Sequence, residues 1–246
     1  MSNRHRARFV ALAQLLALRQ GDVDPGAITD GRVLVDGRVI MNPAARVRVD
    51  AAVRVLRPGR LRGDIKLSHA LDSLAVPIAG RVAVDVGASA GGFTTALLAR
   101  GARRVYAIDA GVGQLLGSLR IDPRVVDLEG HNLGSLTPST VADIVEVLTI
   151  DVSYVSLADA VPQLAALTVH PRADLVALVK PTFELHRSTL AASSADVAEA
   201  VERASAGISR AGWSVVATCV APSTGRHGAR EVFLHATRSD PRAPFR

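Results

Sequence analysis

The stretch that most constrains the fold of this chain runs from Arg81 to Phe93 and reads RVAVDVGASAGGF. Its first half alternates apolar and β-branched residues like a buried strand, and its second half is a glycine-rich turn that opens the helical segment TTALLAR. Glycines let the backbone approach a ligand closely, and the first turn of a helix offers unpaired amides. The sequence therefore predicts a strand, a ligand cradle and a helix, the first unit of an α/β domain.

An acidic residue after the next predicted strand supports a ribose-containing ligand. Asp109 follows the strand Arg104 to Ile108, about 20 residues beyond the cradle, where a carboxylate can accept hydrogen bonds from ribose hydroxyls. The glycine spacing alone would also fit a dinucleotide. Asp85, two residues before the first glycine, favours S-adenosylmethionine, because a carboxylate repels a pyrophosphate but attracts a sulfonium and an ammonium. DVGASAGGF accordingly resembles the first motif of class I methyltransferases.

The chain beyond Asp109 continues with alternating strands and helices, which predicts a mostly parallel sheet of seven strands. The further strands are predicted at RVVDLEG, VEVLTIDVS, ADLVALVK, WSVVATCVAP and REVFLHATR, and the further helices at GVGQLLGSLR, SYVSLADAVPQLAALTVH and SADVAEAVERASAGISRAG. Four charged residues fall at or near carboxyl ends of strands: Asp85, Asp109, Asp151 and Lys180. Open α/β sheets bind their ligands at that edge.

Two lysines and two acids form a second candidate site, for catalysis: Lys66, Asp151, Lys180 and Glu231. A ribose hydroxyl is a poor nucleophile, so its attack on the methyl group of S-adenosylmethionine is helped by a positioned base. A lysine can be that base in a closed cleft with a second ammonium nearby, while carboxylates orient it. The chain uses arginine almost everywhere else, which makes these two lysines informative. The alternative is that both are ordinary surface lysines.

Residues 1–56 are predicted to form a separate small domain. A short helix is expected over Phe9 to Leu18, followed by short alternating strands, and Asp36-Gly37 is a strong hairpin signal. The segment LVDGRVIMNPAARVRVDAAVRVL resembles the second half of the α-L RNA-binding domain. The first half is shorter than in that domain and lacks its arginine-rich second helix, so the domain is degenerate. RNA binding and a purely structural role both remain open for it.

A basic linker is predicted at residues 57–65, RPGRLRGDI, before a methyltransferase domain at residues 66–238 and a tail at 239–246. A helix is expected from Lys66 until Pro77. Arginines in the linker and around the late loop STGRHGAR are candidates for contacts with RNA phosphates: Arg57, Arg60, Arg62, Arg226 and Arg230.

The composition indicates what kind of partner the chain binds and in which cell compartment it works. With 29 basic and 23 acidic residues and a net charge of +6, the chain favours a polyanionic partner, although an arginine-rich genome would give the same balance. The single cysteine, the lack of a signal peptide and the lack of an apolar run of spanning length predict a cytoplasmic protein without a membrane partner. The histidines have no metal-ligand spacing, so no metal site is expected.

Several further motifs are characteristic when taken together: Lys66-Leu67, DVGASAGGFT, IDAGVGQLLGSLRIDPRVV, IDVSYVSL, LVKPTFEL and GAREVFLH. With these motifs the chain resembles the haemolysin TlyA family of FtsJ-like ribosomal RNA ribose 2'-O-methyltransferases. The resemblance implies a Rossmann-like fold, S-adenosylmethionine as donor, ribosomal RNA or a ribosomal subunit as partner, and a cytidine 2'-hydroxyl as acceptor. It also implies that Lys66, Asp151, Lys180 and Glu231 form a catalytic tetrad in which Lys180 is the general base. The cofactor residues that it implies are Asp85, Gly87, Ala88, Ser89, Gly91, Gly92, Phe93, Asp109 and Asn132.

The acceptor half of the chain departs from the family pattern. Thr182 stands where a glutamine is usual, HRSTLAASSADV replaces a glycine-rich loop, and Ala229 and Arg230 replace the residues expected before Glu231. A small-molecule O-methyltransferase therefore remains an alternative, and so does a non-catalytic or haemolysin-like protein that interacts with RNA or membranes. The oligomeric state is left as monomer or homodimer.

Overall fold

The computed structural model describes residues 8–20, 24–56, 60–187, 193–224 and 230–238. The N-terminal part contains one helix, a 3₁₀ turn at Pro25–Ala27 and five short strands. These elements are β1 (Phe9–Ala11), α1 (Leu12–Gln20), β2 (Val33–Val35), β3 (Arg38–Val39), β4 (Arg46–Arg48) and β5 (Val53–Val55). Strand β1 pairs with β4, and β3, β2 and β5 form a three-stranded antiparallel sheet. Leu12, Leu15 and Val33 lie in its small apolar core.

The predicted hairpin between β2 and β3 is confirmed. Leu34 pairs with Val39 and Val35 with Arg38, which leaves Asp36 and Gly37 as the two turn residues. Both have positive φ angles, 49° and 83°, as the favoured two-residue turn requires. The helix expected over Phe9 to Leu18 instead begins at Leu12, because residues Phe9–Ala11 pair with β4.

The larger part of the chain is an α/β domain. Its elements are α2 (Arg62–Ser73), β6 (Val82–Val86), α3 (Gly92–Ala99), β7 (Arg104–Asp109), α4 (Gly117–Arg120), β8 (Val125–Glu129), β9 (Val145–Ile150), α5 (Leu157–Gln163), β10 (Val169–Val179), α6 (Pro181–Glu184), α7 (Ser194–Arg210), β11 (Trp213–Val220) and β12 (Val232–Arg238). The seven strands lie in the order β11-β12-β10-β9-β6-β7-β8. Of the seven strands, β12 alone runs in the direction opposite to the others, so the predicted mostly parallel sheet is confirmed.

Helices cover both faces of this sheet. Strand β6 is buried along its whole length and alternates between the two faces, with Val82, Val84 and Val86 in the core shared with α5 and α7. Ala83 lies in the opposite core, shared with α2 and α3. This alternation also decides where Asp85 points.

Two predicted segments differ from the structure. The predicted linker 57–65 ends early, because α2 begins at Arg62. The helix expected over GVGQLLGSLR is limited to Gly117–Arg120. The amides of Gly113, Gln114 and Leu115 donate to the Glu129 carboxylate at the end of β8 instead of to helical carbonyls. This long-range acceptor favours a loop between β7 and α4.

The N-terminal domain contacts that loop and α4. The Val39 amide donates to the carbonyl of Gly113, and Gly31 lies so close to Gly117 that a Cβ added at Gly31 would be 2.4 Å from the Gly117 nitrogen. Gly31 also has a φ of 68°, a conformation that costs other residues strain. The backbones of the two domains therefore pack directly against each other.

We expect Gly31→Ala to lower the free energy of unfolding by about 1 to 3 kcal/mol, since it combines backbone strain with a clash against Gly117. Thermal unfolding measures the loss. Gly37→Ala is the matched control, because Gly37 also has a positive φ but a Cβ there would have no neighbour within 4 Å. Equal losses in the two variants would contradict the domain contact.

No helix within the described residues is both long and apolar enough to cross a membrane. The same residues contain no group of three or more histidine, cysteine, aspartate or glutamate side chains that could hold a metal ion.

Candidate active site

The predicted cradle follows β6 directly and is built from backbone that only glycine tolerates well. Gly87 and Gly91 have φ angles of 84° and 91°. A Cβ on Gly87 would lie 2.6 Å from the carbonyl oxygen of Asp151, and one on Gly91 would lie 2.0 Å from Cδ1 of Leu119. The cradle is therefore packed tightly between the end of β9 and α4. Ser89 at its tip also has a positive φ, of 48°.

The other predicted cradle residues turn their side chains inward. Gly92 opens α3 and packs against Gly63 of α2, with a hypothetical Cβ 2.8 Å from the Gly63 Cα. Phe93 is buried against Phe233, with ring centroids 5.9 Å apart, and Ala88 is buried as well. The Phe93 ring thus belongs to the core, and none of these three residues lines the cleft described below.

Asp109 closes the cradle from the end of β7. Its two carboxylate oxygens accept hydrogen bonds from the amides of Ser89, at 2.8 Å, and Gly111, at 2.7 Å. Ser89 also donates from its hydroxyl to Gln114, at 3.3 Å. The predicted position of Asp109 at the strand end next to the cradle is what the structure shows.

A small cleft opens between the cradle and the ends of β6 and β7. Its lining residues are Val86, Gly87, Ile108, Asp109, Ala110, His131, Leu133 and Tyr154. His131 and Tyr154 are not among the residues that the sequence predicts for a cofactor. Partial burial and the negative charge of Asp109 raise the pKa of the Tyr154 phenol. Asn132, which is predicted near the adenine, is exposed between two of the lining residues.

The structure corrects the role predicted for Asp85. Its side chain is fully buried, and its carboxylate accepts hydrogen bonds from the hydroxyls of Thr94, at 2.7 Å, and Thr149, at 3.1 Å. Burial raises its pKa to about 7. Asp85 therefore supports the cradle from behind by joining α3 to β9, and it does not face the cleft as a counter-charge for a cationic ligand.

Lys66 and Glu231 form a buried ion pair. Lys66 lies on α2 and Glu231 directly precedes β12, and their side chains are 9% and 7% exposed. Removing either partner of such a pair would leave an uncompensated buried charge.

Lys180 and Asp151 form the second ion pair. Lys180 follows β10 and Asp151 follows β9, two neighbouring parallel strands. The Lys180 amine also donates to the hydroxyl of Ser153, at 2.7 Å. Sequence reasoning does not single out Ser153.

The two ion pairs lie at the same edge of the sheet. Val179 faces Val232 in the antiparallel register of β10 and β12, so Lys180 and Glu231 occupy the next opposing positions. Asp151 in turn contacts the cradle at Gly87. The structure thus arranges the four residues of the predicted tetrad as two ion pairs at one edge of the sheet, and their joint role in catalysis stays a prediction.

The described linker arginines make bonds within the protein. Arg60 donates twice to Asp64, at 2.6 and 2.8 Å, and once to Ser68, at 2.6 Å. Arg62 donates to the carbonyl of Thr224, at 2.9 Å, and Arg230 is exposed beside Glu231. Arg57 and Arg226 lie outside the described residues. Contacts of these arginines with RNA stay a prediction, and two of them already hold α2 to its surroundings.

Comparison with known proteins identifies the family. Residues 60–238 match the profile of the FtsJ-like methyltransferases. The chain belongs to this family. It is 39% identical over 214 residues, 83% of this chain and 79% of the relative, to the 16S/23S rRNA (cytidine-2'-O)-methyltransferase TlyA of Mycobacterium tuberculosis H37Rv.

Solved structures of similar fold are also known. A putative haemolysin from Streptococcus thermophilus superposes with a TM-score of 0.70 at 28% identity, covering 96% of this chain and 90% of that one. A putative S-adenosylmethionine-dependent methyltransferase from Listeria monocytogenes, at 13% identity, matches 72% of this chain and 98% of its own with a TM-score of 0.51, and so shares the fold.

This FtsJ-like protein is an S-adenosylmethionine-dependent enzyme, as its sequence predicts. The residues present fit that cofactor. The cleft has apolar walls at Ile108 and Leu133 for an adenine, and the Asp109 carboxylate stands beside the glycine cradle, where ribose hydroxyls can donate to it.

We expect Asp109→Ala to weaken the binding of S-adenosylmethionine by about 1 to 3 kcal/mol, because ribose hydroxyls lose a charged acceptor. Isothermal titration calorimetry measures the change. Asp122→Ala is the control, since Asp122 is bonded to Arg124 after α4 and does not line the cleft. Unchanged affinity in Asp109→Ala would remove Asp109 from the cofactor site.

Proposed function

We propose that this protein methylates a ribose 2'-hydroxyl of ribosomal RNA, with Lys180 as the general base of a tetrad completed by Lys66, Asp151 and Glu231. The observation that carries the proposal is the placement of both lysines, each paired with one of the two acids, beside the cradle. The name of the Mycobacterium tuberculosis relative supports ribosomal RNA as substrate and cytidine as the target nucleotide.

Lys180 is the better placed of the two lysines to accept a proton. Its side chain is 13% exposed, whereas Lys66 is 9% exposed and paired with the equally buried Glu231. A base must reach its proton within hydrogen-bond distance, which requires that the amine be accessible to the acceptor hydroxyl. In this proposal Lys66 and Glu231 stay paired with each other as a buried ion pair and do not accept the proton.

The proposed reaction is a single displacement. S-adenosylmethionine supplies a methyl group that is electrophilic because it is bonded to a sulfonium. The 2'-hydroxyl oxygen bonds to the methyl carbon while the bond between methyl and sulfur breaks and its electron pair stays on sulfur. The hydroxyl proton passes to Nζ of Lys180, and Asp151 stabilises the ammonium that forms.

The N-terminal domain is the proposed RNA-binding unit. Arg46, Arg48 and Arg54 are exposed on its strands, and the net charge of the chain is +6. Aromatic residues are only 3% of the chain, so recognition of RNA shape and phosphates suits it better than base stacking. Ribosomal RNA as partner implies that the enzyme acts in the cytoplasm, on ribosomes or their precursors. We propose that it does so as a monomer or homodimer.

Incubation with labelled S-adenosylmethionine and isolated 30S subunits, 50S subunits or deproteinised ribosomal RNA tests the proposal. We expect label at a ribose 2'-oxygen, located by mass spectrometry of nuclease fragments. Label on a base, or transfer only to small hydroxylated molecules, would overturn it and favour the alternative of a small-molecule O-methyltransferase.

A further inference from the structure

The amine of Lys180 has two partners in one short loop. It forms an ion pair with Asp151 and donates to Oγ of Ser153 at 2.7 Å. Both partners lie in the loop between β9 and α5, and Ser153 is exposed at the surface. An exposed serine in the loop after a strand has no evident role in stability.

A lysine base needs a directed contact in order to orient its lone pair. A neutral amine on a carbon chain has two N–H bonds and one lone pair, at three corners of a tetrahedron. Asp151 holds the amine by charge, but the oxygen that contacts it accepts no hydrogen bond of normal geometry. Ser153 accepts one N–H bond in a directed hydrogen bond, so it restricts the rotation of the amine and with it the direction of the lone pair.

We infer that Ser153 is a positioning residue that sets the orientation of the Lys180 amine for deprotonation of the acceptor hydroxyl. The inference rests on the proposed function, because it assumes that Lys180 is the base. Ser153 does not contact the reacting atoms in this role and acts only through Lys180.

The loop that carries Ser153 is held rigidly by the segment that carries Lys180. The side chain of Glu184, four residues beyond Lys180, accepts a hydrogen bond from the amide of Leu157 at 2.7 Å. At the other end of the loop, Asp151 forms the ion pair with Lys180 itself. Since both ends of the loop contact the segment that carries Lys180, the fold sets the distance between Ser153 and Lys180. Ser156 only caps α5, by accepting from the amide of Asp159 at 3.2 Å.

Ser153→Ala tests the inference. We expect the single-turnover rate of methyl transfer to ribosomal RNA to fall about 10- to 100-fold, the scale of a misoriented catalytic group. Calorimetric affinity for S-adenosylmethionine and the thermal unfolding midpoint should match wild type. Ser153→Thr keeps the hydroxyl, so it should retain the rate within about 3-fold.

Ser156→Ala is the matched control, since it changes the same residue type in the same loop. It removes the helix cap and should lower the unfolding midpoint, while the single-turnover rate stays within about 2-fold of wild type. A fall in rate as large as that of Ser153→Ala would mean that loop stability is responsible, and the inference would be wrong.

A double variant separates positioning from other effects. If Ser153 acts through Lys180, Ser153→Ala should lower the residual rate of Lys180→Met by less than about 2-fold. A further 10-fold loss in that background, or a wild-type rate in Ser153→Ala alone, would overturn the inference. Failure of the wild-type protein to methylate any ribosomal RNA would instead overturn the proposed function.

Discussion

Lys180→Met will lower the single-turnover rate of methyl transfer by about 100-fold or more while S-adenosylmethionine affinity stays within a few-fold of wild type, the pattern of a lost general base. Methionine has a similar length but cannot accept a proton. Lys180 follows β10 and does not line the cofactor cleft, so donor binding should be spared. Rapid-quench assays with excess enzyme and calorimetry measure the two quantities.

Lys180→Arg is the control that separates a base from a charge. Arginine keeps a cation next to Asp151, but it stays protonated and offers no lone pair. We expect it to be as inactive as Lys180→Met. If Lys180→Arg were active, Lys180 would act only as a cation, and substantial activity in both variants would make it a structural lysine.

The sequence predicts the strand, the glycine turn and the position of Asp109 because their signals are local. A buried strand, a glycine turn and a helix start are contiguous in residues 81–93, and the next strand carries Asp109 to the same sheet edge. The topology of an α/β sheet then fixes the neighbourhood of Asp151 and Lys180. The sequence alone could therefore predict that Asp109, Asp151 and Lys180, which lie far apart in the chain, reach the same edge of the sheet.

The direction of Asp85 shows where that reasoning fails. Its place near a strand end suggests a side chain in the cleft, but the two-residue period of β6 puts it on the side of Thr94, away from Val84 and Val86. The place of a residue near a strand end determines at which edge of the sheet it lies, whereas the alternation of side chains along the strand determines toward which face its side chain points. For Asp85 this alternation turns the side chain into the core.

Other features depend on contacts between distant segments and leave no local signal. The loop before α4 is set by Glu129 of β8, and the domain contact depends on Gly31 meeting Gly117. Ser153 becomes notable only once the Lys180 amine is seen to donate to it. Each of these contacts joins segments whose separation in the sequence follows no pattern.

Asp85→Asn will change how the stability of the protein depends on pH. Burial raises the pKa of Asp85 to about 7 from an ordinary 3.8, so between these values the unfolded state releases a proton that the folded state retains. The contribution of Asp85 to the free energy of unfolding is therefore at its full value below about pH 4. It falls as the pH rises and reaches its lowest value above about pH 7. A shift of this size corresponds to about 4 kcal/mol, as an upper value.

Asparagine cannot ionise, so the variant lacks this decline and should gain stability relative to wild type as the pH rises from 5 to 8. Urea unfolding of both proteins at the two pH values measures the difference. Burial also raises the pKa of Glu184 to about 7. Because Glu184 is present in both proteins, its contribution cancels in the difference between them. Asp122→Asn is the control without a pH effect in this window, because bonds from Arg124 lower the pKa of Asp122 from 3.8, so Asp122 is ionised in both the folded and the unfolded state between pH 5 and 8. A pH-independent difference between wild type and Asp85→Asn would mean that Asp85 is ionised in the folded protein throughout, and that the cradle rests on a buried charge.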